Sequence, residues 1–422
     1  MDNLLIKSAK VAFPGTPYHD REVDVLLEKG IIAKIAARIK VDGDKVATFD
    51  AKGQCLAPGF FDMNVNFGEP GLETKEDILS GCTAAVAGGF TGVAVQPNTY
   101  PAVHSHSEVA LIVSRAKTLP VDVFPIGTIS KKREGGELAE LYDMKLAGAI
   151  AFSDGNKPVQ QAGLMSRALL YSKGFGGLIV SYAEDASVAA GAKMNEGVTS
   201  TYLGMRGNPN LAETLMVARD LYLAEYNDAT IHFTTISTAE SVDLIRKAKA
   251  KGIKVTCDVA AHHLVMTDEL VAGFDSNYKV SPPLRTPNDR KALLKGLKDG
   301  TIDAVVSQHT PHEIEFKNVE YQIAAEGIIA LQTVLPFVLE AGLTTDQLIE
   351  KLAIGPRRIF GLPVPEFREQ AVANFVLFDT ELKWRFDQQT NRSKSSNSPL
   401  MGSVLKGKVT MVINKHQIVN IQ

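Results

Sequence analysis

Asn64 and Asn66 stand two residues apart in a short apolar run, 60–65, and just beyond it, a spacing that turns both side chains toward one face of a strand. Two histidines so placed would make a metal-ligating pair, whereas two amides offer only neutral oxygens that bind zinc weakly. Further polar residues close later apolar runs: Gln96-Pro97-Asn98-Thr99, Ser153-Asp154, Tyr182, His232 and Thr235, His262-His263, and Gln308-His309-Thr310-Pro311-His312. At the first, fourth, fifth, sixth and eighth of these ends only Asp154 carries a formal negative charge, so a transition-metal centre built there would be poor in donors. Oxygen ligands of this kind suit a hard cation such as Mg²⁺ or Ca²⁺, yet one carboxylate is little charge for tight binding. A polar network joining Asn64, Asn66, Gln308, Tyr182 and Thr235 is therefore the expected arrangement. His104 and His106 could join His309 or His312 in a relocated site, although loop histidines are more often solvated. Asp154 is readable as a base of raised pKa or as the partner of a nearby cation.

These residues need a scaffold that brings eight strand ends to one face. Runs of strand character occupy residues 60–65, 91–95, 121–126, 149–152, 177–182, 230–236, 254–259 and 302–307, with helical stretches such as 75–87, 211–224, 239–250 and 289–298 between them. Eight β-α alternations predict an α/β fold, a TIM-type (β/α)8 barrel, whose chemistry collects at the carboxyl ends of its strands. Before it, 23–27 and 31–35 read as a hairpin around Glu28-Lys29-Gly30. After Gly361, β-like runs at 374–378 and 409–413 are separated by a polar loop, 388–398. The expected organisation is a small β-sandwich domain assembled from both ends of the chain, residues 1–55 and 365–422, around a barrel of residues 56–364.

The chain has 422 residues, 45% of them hydrophobic, with 45 Lys and Arg against 48 Asp and Glu, so it carries no basic field for nucleic acid or an anionic membrane. Cys55, Cys82 and Cys257 are widely spaced and read as reduced thiols. Residues 1–12 lack a leader pattern and no later stretch reaches eighteen apolar residues, which predicts a cytoplasmic protein.

The segment Pro58-Gly59-Phe60-Phe61-Asp62-Met63-Asn64-Val65-Asn66-Phe67-Gly68-Glu69-Pro70-Gly71 resembles the dihydroorotase signature PGFxDxHxHxREPG. The resemblance continues through Gly88-Gly89-Phe90-Thr91, Pro97-Asn98-Thr99, Ala260-Ala261-His262-His263-Leu264, Ser281-Pro282-Pro283-Leu284-Arg285 and Gln308-His309-Thr310-Pro311-His312, and covers nearly the whole chain. It implies a metal-dependent amidohydrolase barrel that interconverts carbamoyl aspartate and dihydroorotate, with zinc in the active members. Against that pattern, Asn64, Asn66, Tyr182, Thr235 and Gln308 fall where metal ligands are implied, Gln308 taking the place of the implied base. Gly68 falls where the family's substrate-gripping arginine stands, and Ser281 where a substrate-contacting asparagine is implied. Asp154, Asn98, His309 and His312 keep family positions. Hydrolysis of a cyclic amide near neutrality needs an activated water, which zinc supplies by lowering the pKa of bound water to about 7. The expectation is thus a vestigial pocket with no metal, no cofactor and no catalytic residue. Such a homologue is expected to act by binding, as a homo-oligomer and as a partner of aspartate transcarbamoylase. The opposing expectation is an active cyclic amidohydrolase, or altered chemistry using Asp154, Tyr182, His309 and His312.

Overall fold

The structure, a computed structural model, describes residues 3–41 and 46–421. Met1, Asp2 and Gln422 lie outside it, and so do residues 42–45, which belong to the predicted amino-terminal part of the small domain. Eight parallel strands form the barrel in sequence order: Phe60–Val65, Phe90–Val95, Asp122–Gly127, Ala151–Phe152, Ile179–Tyr182, Ile231–Thr234, Val255–Ala260 and Ala304–Val306. All eight coincide with apolar runs of the sequence, and the fourth, fifth, sixth and eighth are shorter than their runs. Alternation along the strands divides the core into two. Phe60, Val93, Val95, Ile179, Phe233, Val259 and Val305 face the helices. Phe61, Met63, Ala94, Ala151, Val180, Ala260, Ala304 and Val306 form the inner packing, where small residues from facing strands leave room for Phe61 and Met63.

The ring closes between the first and last strands with few backbone bonds. Asn66 N donates to His309 O at 2.9 Å, and the buried Asp62 carboxylate accepts from Asn64 N at 2.9 Å and from Ser307 N at 3.0 Å. A side chain thus does part of the work of a strand ladder at the seam.

The helix predicted over 75–87 begins later, at Ile78. Asp77 is its N-cap, accepting from Ser80 N at 2.7 Å, and Glu76 turns inward before the helix starts, its side chain fully buried. Both ends of the chain join in one eight-stranded sheet, where Cys55–Pro58 lies between Asn3–Val11 and Phe375–Arg385. This terminal sheet has its own core of Leu4, Ile6, Val25, Leu56, Phe367, Phe375 and Met411. The hairpin at 23–35 is present as Glu22–Glu28 and Ile31–Ala36. Among the described residues no helix is long and apolar enough to cross a membrane.

Candidate functional site

At the carboxyl ends of the strands lies a cavity of about 50 Å³ lined by Asn64, Asn66, Gln96, Asn98, Tyr182, Ser281, Gln308, Thr310 and the loop residues Gly155, Asn156, Glu326 and Gly327. By volume it accommodates roughly three to five waters. Its wall is a set of polar groups bonded to one another. Asn64 Nδ2 donates to Thr234 Oγ1 at 3.1 Å and lies 3.4 Å from Thr235 Oγ1. Asn66 Nδ2 donates to Thr310 Oγ1 at 3.0 Å and to His309 O at 3.1 Å, while its Oδ1 accepts from Asn98 Nδ2 at 2.7 Å. Across the mouth, the Tyr182 hydroxyl pairs with Ser281 Oγ at 2.7 Å and Gln308 Nε2 donates to Ser281 O at 2.7 Å. The residues expected to form one network fall into three groups, Asn64 with Thr234 and Thr235, Asn66 with Asn98 and Thr310, and Tyr182 and Gln308 with Ser281. Gln96 Oε1 and Asn98 Oδ1 are buried without a protein partner and face this space. A Cβ at Gly155 would lie 1.9 Å from Asn98 Oδ1, so only glycine leaves that amide its place.

Zinc does not fit these donors. Amides and hydroxyls dominate the wall, Glu326 is its one carboxylate, and among the described residues no three His, Cys, Asp or Glu side chains converge as metal ligands. Asp154, His309 and His312 are not part of the cavity wall. Asp154 accepts from Ile129 N and Ser130 N at 2.9 Å each, and its own backbone carbonyl accepts from Arg133 Nε at 2.9 Å. Burial raises its carboxyl pKa, opposed by the Ser130 and Ile129 hydrogen bonds. His309 is buried behind the wall, its Nδ1 accepting from Ala330 N at 3.1 Å, which leaves Nε2–H to face Glu76 Oε2 at 3.3 Å. Burial pushes Glu76 upward, but bonds from His309, Ser393 and Ser80 outweigh it and hold the carboxyl below its usual range. His312 donates from Nε2 to Glu326 O at 3.0 Å, and burial carries its pKa down to about 4. Burial, reinforced by Glu184, pushes the Tyr182 phenol well above its usual range.

His104 turns back to Ala102 O at 2.8 Å and His106 lies 3.5 Å from Asp143, so the two do not converge with His309 or His312. His232 is buried between Thr256 Oγ1, 2.8 Å away, and Asp258 Oδ2, 3.0 Å away. Gly68 has φ +66°, and a Cβ there would fall 2.6 Å from Leu72 O and 2.7 Å from Glu76 O.

The buried rings of His262 and His263 lie against each other, tilted by 38° with centroids 4.6 Å apart, and His263 Nε2 donates to Pro283 O at 3.2 Å, bracing the segment that carries Ser281. Burial lowers the His263 pKa to about 4. The unfolded chain takes up this proton near pH 6.5 and the folded chain only near 4, so stability is present above 6.5 and drains as pH falls through that window. Between pH 7 and 5 the wild type is expected to lose about 2 kcal/mol more than His263→Gln, at about 1.4 kcal/mol per pH unit per proton. Urea unfolding at the two pH values checks this, and equal losses would refute it.

Sequence reasoning passed over Asp62, Glu76, Glu326 and the loop residues Ser393 and Asn397. Lys394 N and Ser393 Oγ both bond Glu76, while Asn397 Nδ2 donates to Thr310 O and to Gly327 O at 3.0 Å each. Polar composition marked 388–398 as a loop, but nothing local marks where a loop lands.

The barrel and its composite terminal sheet define an amidohydrolase-type fold. The fold is similar to L-hydantoinase (dihydropyrimidinase) from Arthrobacter aurescens, with a TM-score of 0.85 and 22% identity over 100% of this chain and 96% of that one. It is also similar to dihydropyrimidinase from Brevibacillus agri, with a TM-score of 0.79 and 20% identity over 99% and 95%. Residues 53–241 match the family described as Dihydro-orotase-like. The chain is 41% identical to a dihydroorotase of Trichlorobacter lovleyi and 42% identical to one of Pelobacter propionicus, each over 99% of both chains. It belongs to the dihydroorotase family.

Proposed function

We propose that this chain is a dihydroorotase homologue that does not turn over the cyclic amide and serves as a structural or regulatory partner of aspartate transcarbamoylase in the cytoplasm. The observation that carries the reading is a space of about 50 Å³ walled by polar groups committed to one another, Asn64 with Thr234 and Thr235, Asn66 with Asn98 and Thr310, and Ser281 with Tyr182 and Gln308. Hydrolysis requires a group that activates water and one that takes its proton. Gln308 is an amide and Tyr182 holds its proton, while Asp154 and His309 are committed to neighbouring groups and His312 is pinned to a backbone carbonyl. The positions where the family resemblance implies metal ligands carry Asn64, Asn66, Tyr182, Thr235 and Gln308, which suit hydrogen bonding better than zinc. Where the substrate arginine is implied, Gly68 offers no cation.

The second reading, an active cyclic amidohydrolase, is favoured by the name dihydroorotase on relatives at 41–42% identity. Elemental analysis of protein purified without chelator, with a dihydroorotate hydrolysis assay in added zinc, separates the two. The expected result is substoichiometric metal and no turnover. One or two tightly held metal ions with turnover would sink the first reading.

A further inference from the structure

Two amide oxygens beside the mouth cavity have no protein partner, and the bonds around them fix which atom is the oxygen. Thr310 Oγ1 donates to Gln308 O at 3.0 Å, so it accepts from Asn66 Nδ2, which also donates to His309 O. The Asn66 amide is thereby held in one orientation, and its Oδ1 is left to accept from Asn98 Nδ2 at 2.7 Å. Exchanging the Asn98 oxygen and nitrogen would set oxygen against oxygen, so Asn98 Oδ1 is the orphan. Gln96 is 2% exposed, with Nε2 turned to Met63 O at 3.5 Å and Oε1 likewise unpartnered. Among the described residues these two oxygens are the only buried side-chain polar atoms of the cavity wall without a partner. An amide oxygen buried without a donor is costly, and two beside one space mark a place for a guest.

The wall sets the chemistry of that guest. An amide oxygen accepts and never donates, so the guest must carry N–H or O–H groups. Glu326, the one carboxylate of the wall, favours positive charge. The field runs the same way, since Glu184, Glu326 and Glu213 reinforce burial in pushing the Tyr182 phenol upward. Nearby cations are already committed. Arg133 donates to Asp154 O and Asn156 Oδ1, Arg285 to Ser237 Oγ, Asn195 Oδ1 and Asn208 O, and Lys279 and Lys317 to backbone carbonyls. A space of about 50 Å³, roughly three to five waters, matches a guanidinium in size, where an ammonium ion would leave room for water.

We propose that the mouth binds a compact cation rich in N–H donors, a guanidinium head group, between Gln96, Asn98 and Glu326. Its charge is opposite to that implied by the family's substrate-gripping arginine, and the proposal rests on the reading that no metal ion occupies the mouth. The test is saturation-transfer NMR on the methyl protons of methylguanidinium and of its neutral isostere N-methylurea, titrated into the full chain at constant ionic strength. Metal content and dihydroorotate hydrolysis are measured on the same protein. Wild type is expected to hold methylguanidinium about tenfold more tightly than N-methylurea, the margin of charge-assisted over neutral hydrogen bonds. Gln96→Met nearly keeps the side-chain volume, removes the acceptor and is expected to weaken methylguanidinium about tenfold. Glu326→Gln, at an exposed position, is expected to weaken methylguanidinium about threefold and to leave N-methylurea unchanged. Equal affinity of the two probes for wild type overturns the proposal whether or not Gln96→Met folds, and so does unchanged affinity in both variants. No binding by metal-free wild type also overturns it and leaves the non-hydrolytic reading standing. Stoichiometric metal with turnover overturns both.

Discussion

Asp62→Ala is expected to lower the unfolding free energy by about 4 kcal/mol, since it orphans two buried backbone N–H groups at roughly 1–3 kcal/mol each. Those groups, Asn64 N and Ser307 N, belong to the first strand and to the residue just after the eighth. Few other bonds join these elements, Asn66 N to His309 O being the nearest. The barrel is therefore weakest where Asp62 bridges it, and the mouth residues Asn64, Asn66 and Gln308 sit directly beyond. Denaturant unfolding followed by far-ultraviolet circular dichroism checks the loss. A change below about 1 kcal/mol, the range of an ordinary satisfied hydrogen bond, would show that the backbone alone closes the ring.

Rebuilding the family's catalytic set in this chain is expected to fail in two stages. Asn64→His, Asn66→His and Gln308→Asp together should leave dihydroorotate hydrolysis at background in added zinc, because Tyr182 and Thr235 still occupy implied ligand positions and catalytic groups act as a unit. Adding Gly68→Arg should not supply the missing cation. A side chain there meets Leu72 O and Glu76 O closer than any Cβ tolerates, on a backbone with φ +66°. The left-handed conformation alone costs about 1–2 kcal/mol for a residue with a Cβ, and the two carbonyls add to it. The expected result is a fall in melting temperature of several degrees, about 4–8 °C per kcal/mol in a small domain and less in a chain of this size, with no gain in dihydroorotate binding. Hydrolysis well above background in either variant would show that the pocket remains one step from activity.

The barrel was legible from the sequence because buried parallel strands are short apolar runs, and each begins or ends near Gly, Pro or Asn. Strand lengths were less so: hydrophobicity extends past the last ladder pair, as at residues 149–150 and 235–236, which leave the sheet while remaining buried. Of the pocket residues expected from the sequence, Asn64, Asn66, Asn98, Tyr182, Ser281 and Gln308 line one cavity, whereas Gly68, Asp154, Thr235, His309 and His312 are not part of its wall. What escaped depends on contacts between residues far apart in the chain. Glu76 reads locally as part of a helix beginning at 75, and its inward turn follows from partners at 309 and 393–394. Nothing local in the sequence marks Lys279 and Lys317 as buried, since the carbonyls that hold them, Gln322 O, Ala324 O, Ala325 O and Gly327 O, are set by the path of the loop after the eighth strand.

The segment 393–397, which clasps Glu76, Thr310 and Gly327, bears on how the molecule is made. The ribosome delivers it only after all eight strands have emerged, and domains assemble largely in the order of synthesis. During translation the nascent barrel must carry Glu76 and the carbonyls of 310 and 327 without these partners. The mouth can therefore take its final hydrogen bonding only once the segment 393–397 has been made and has docked on the barrel.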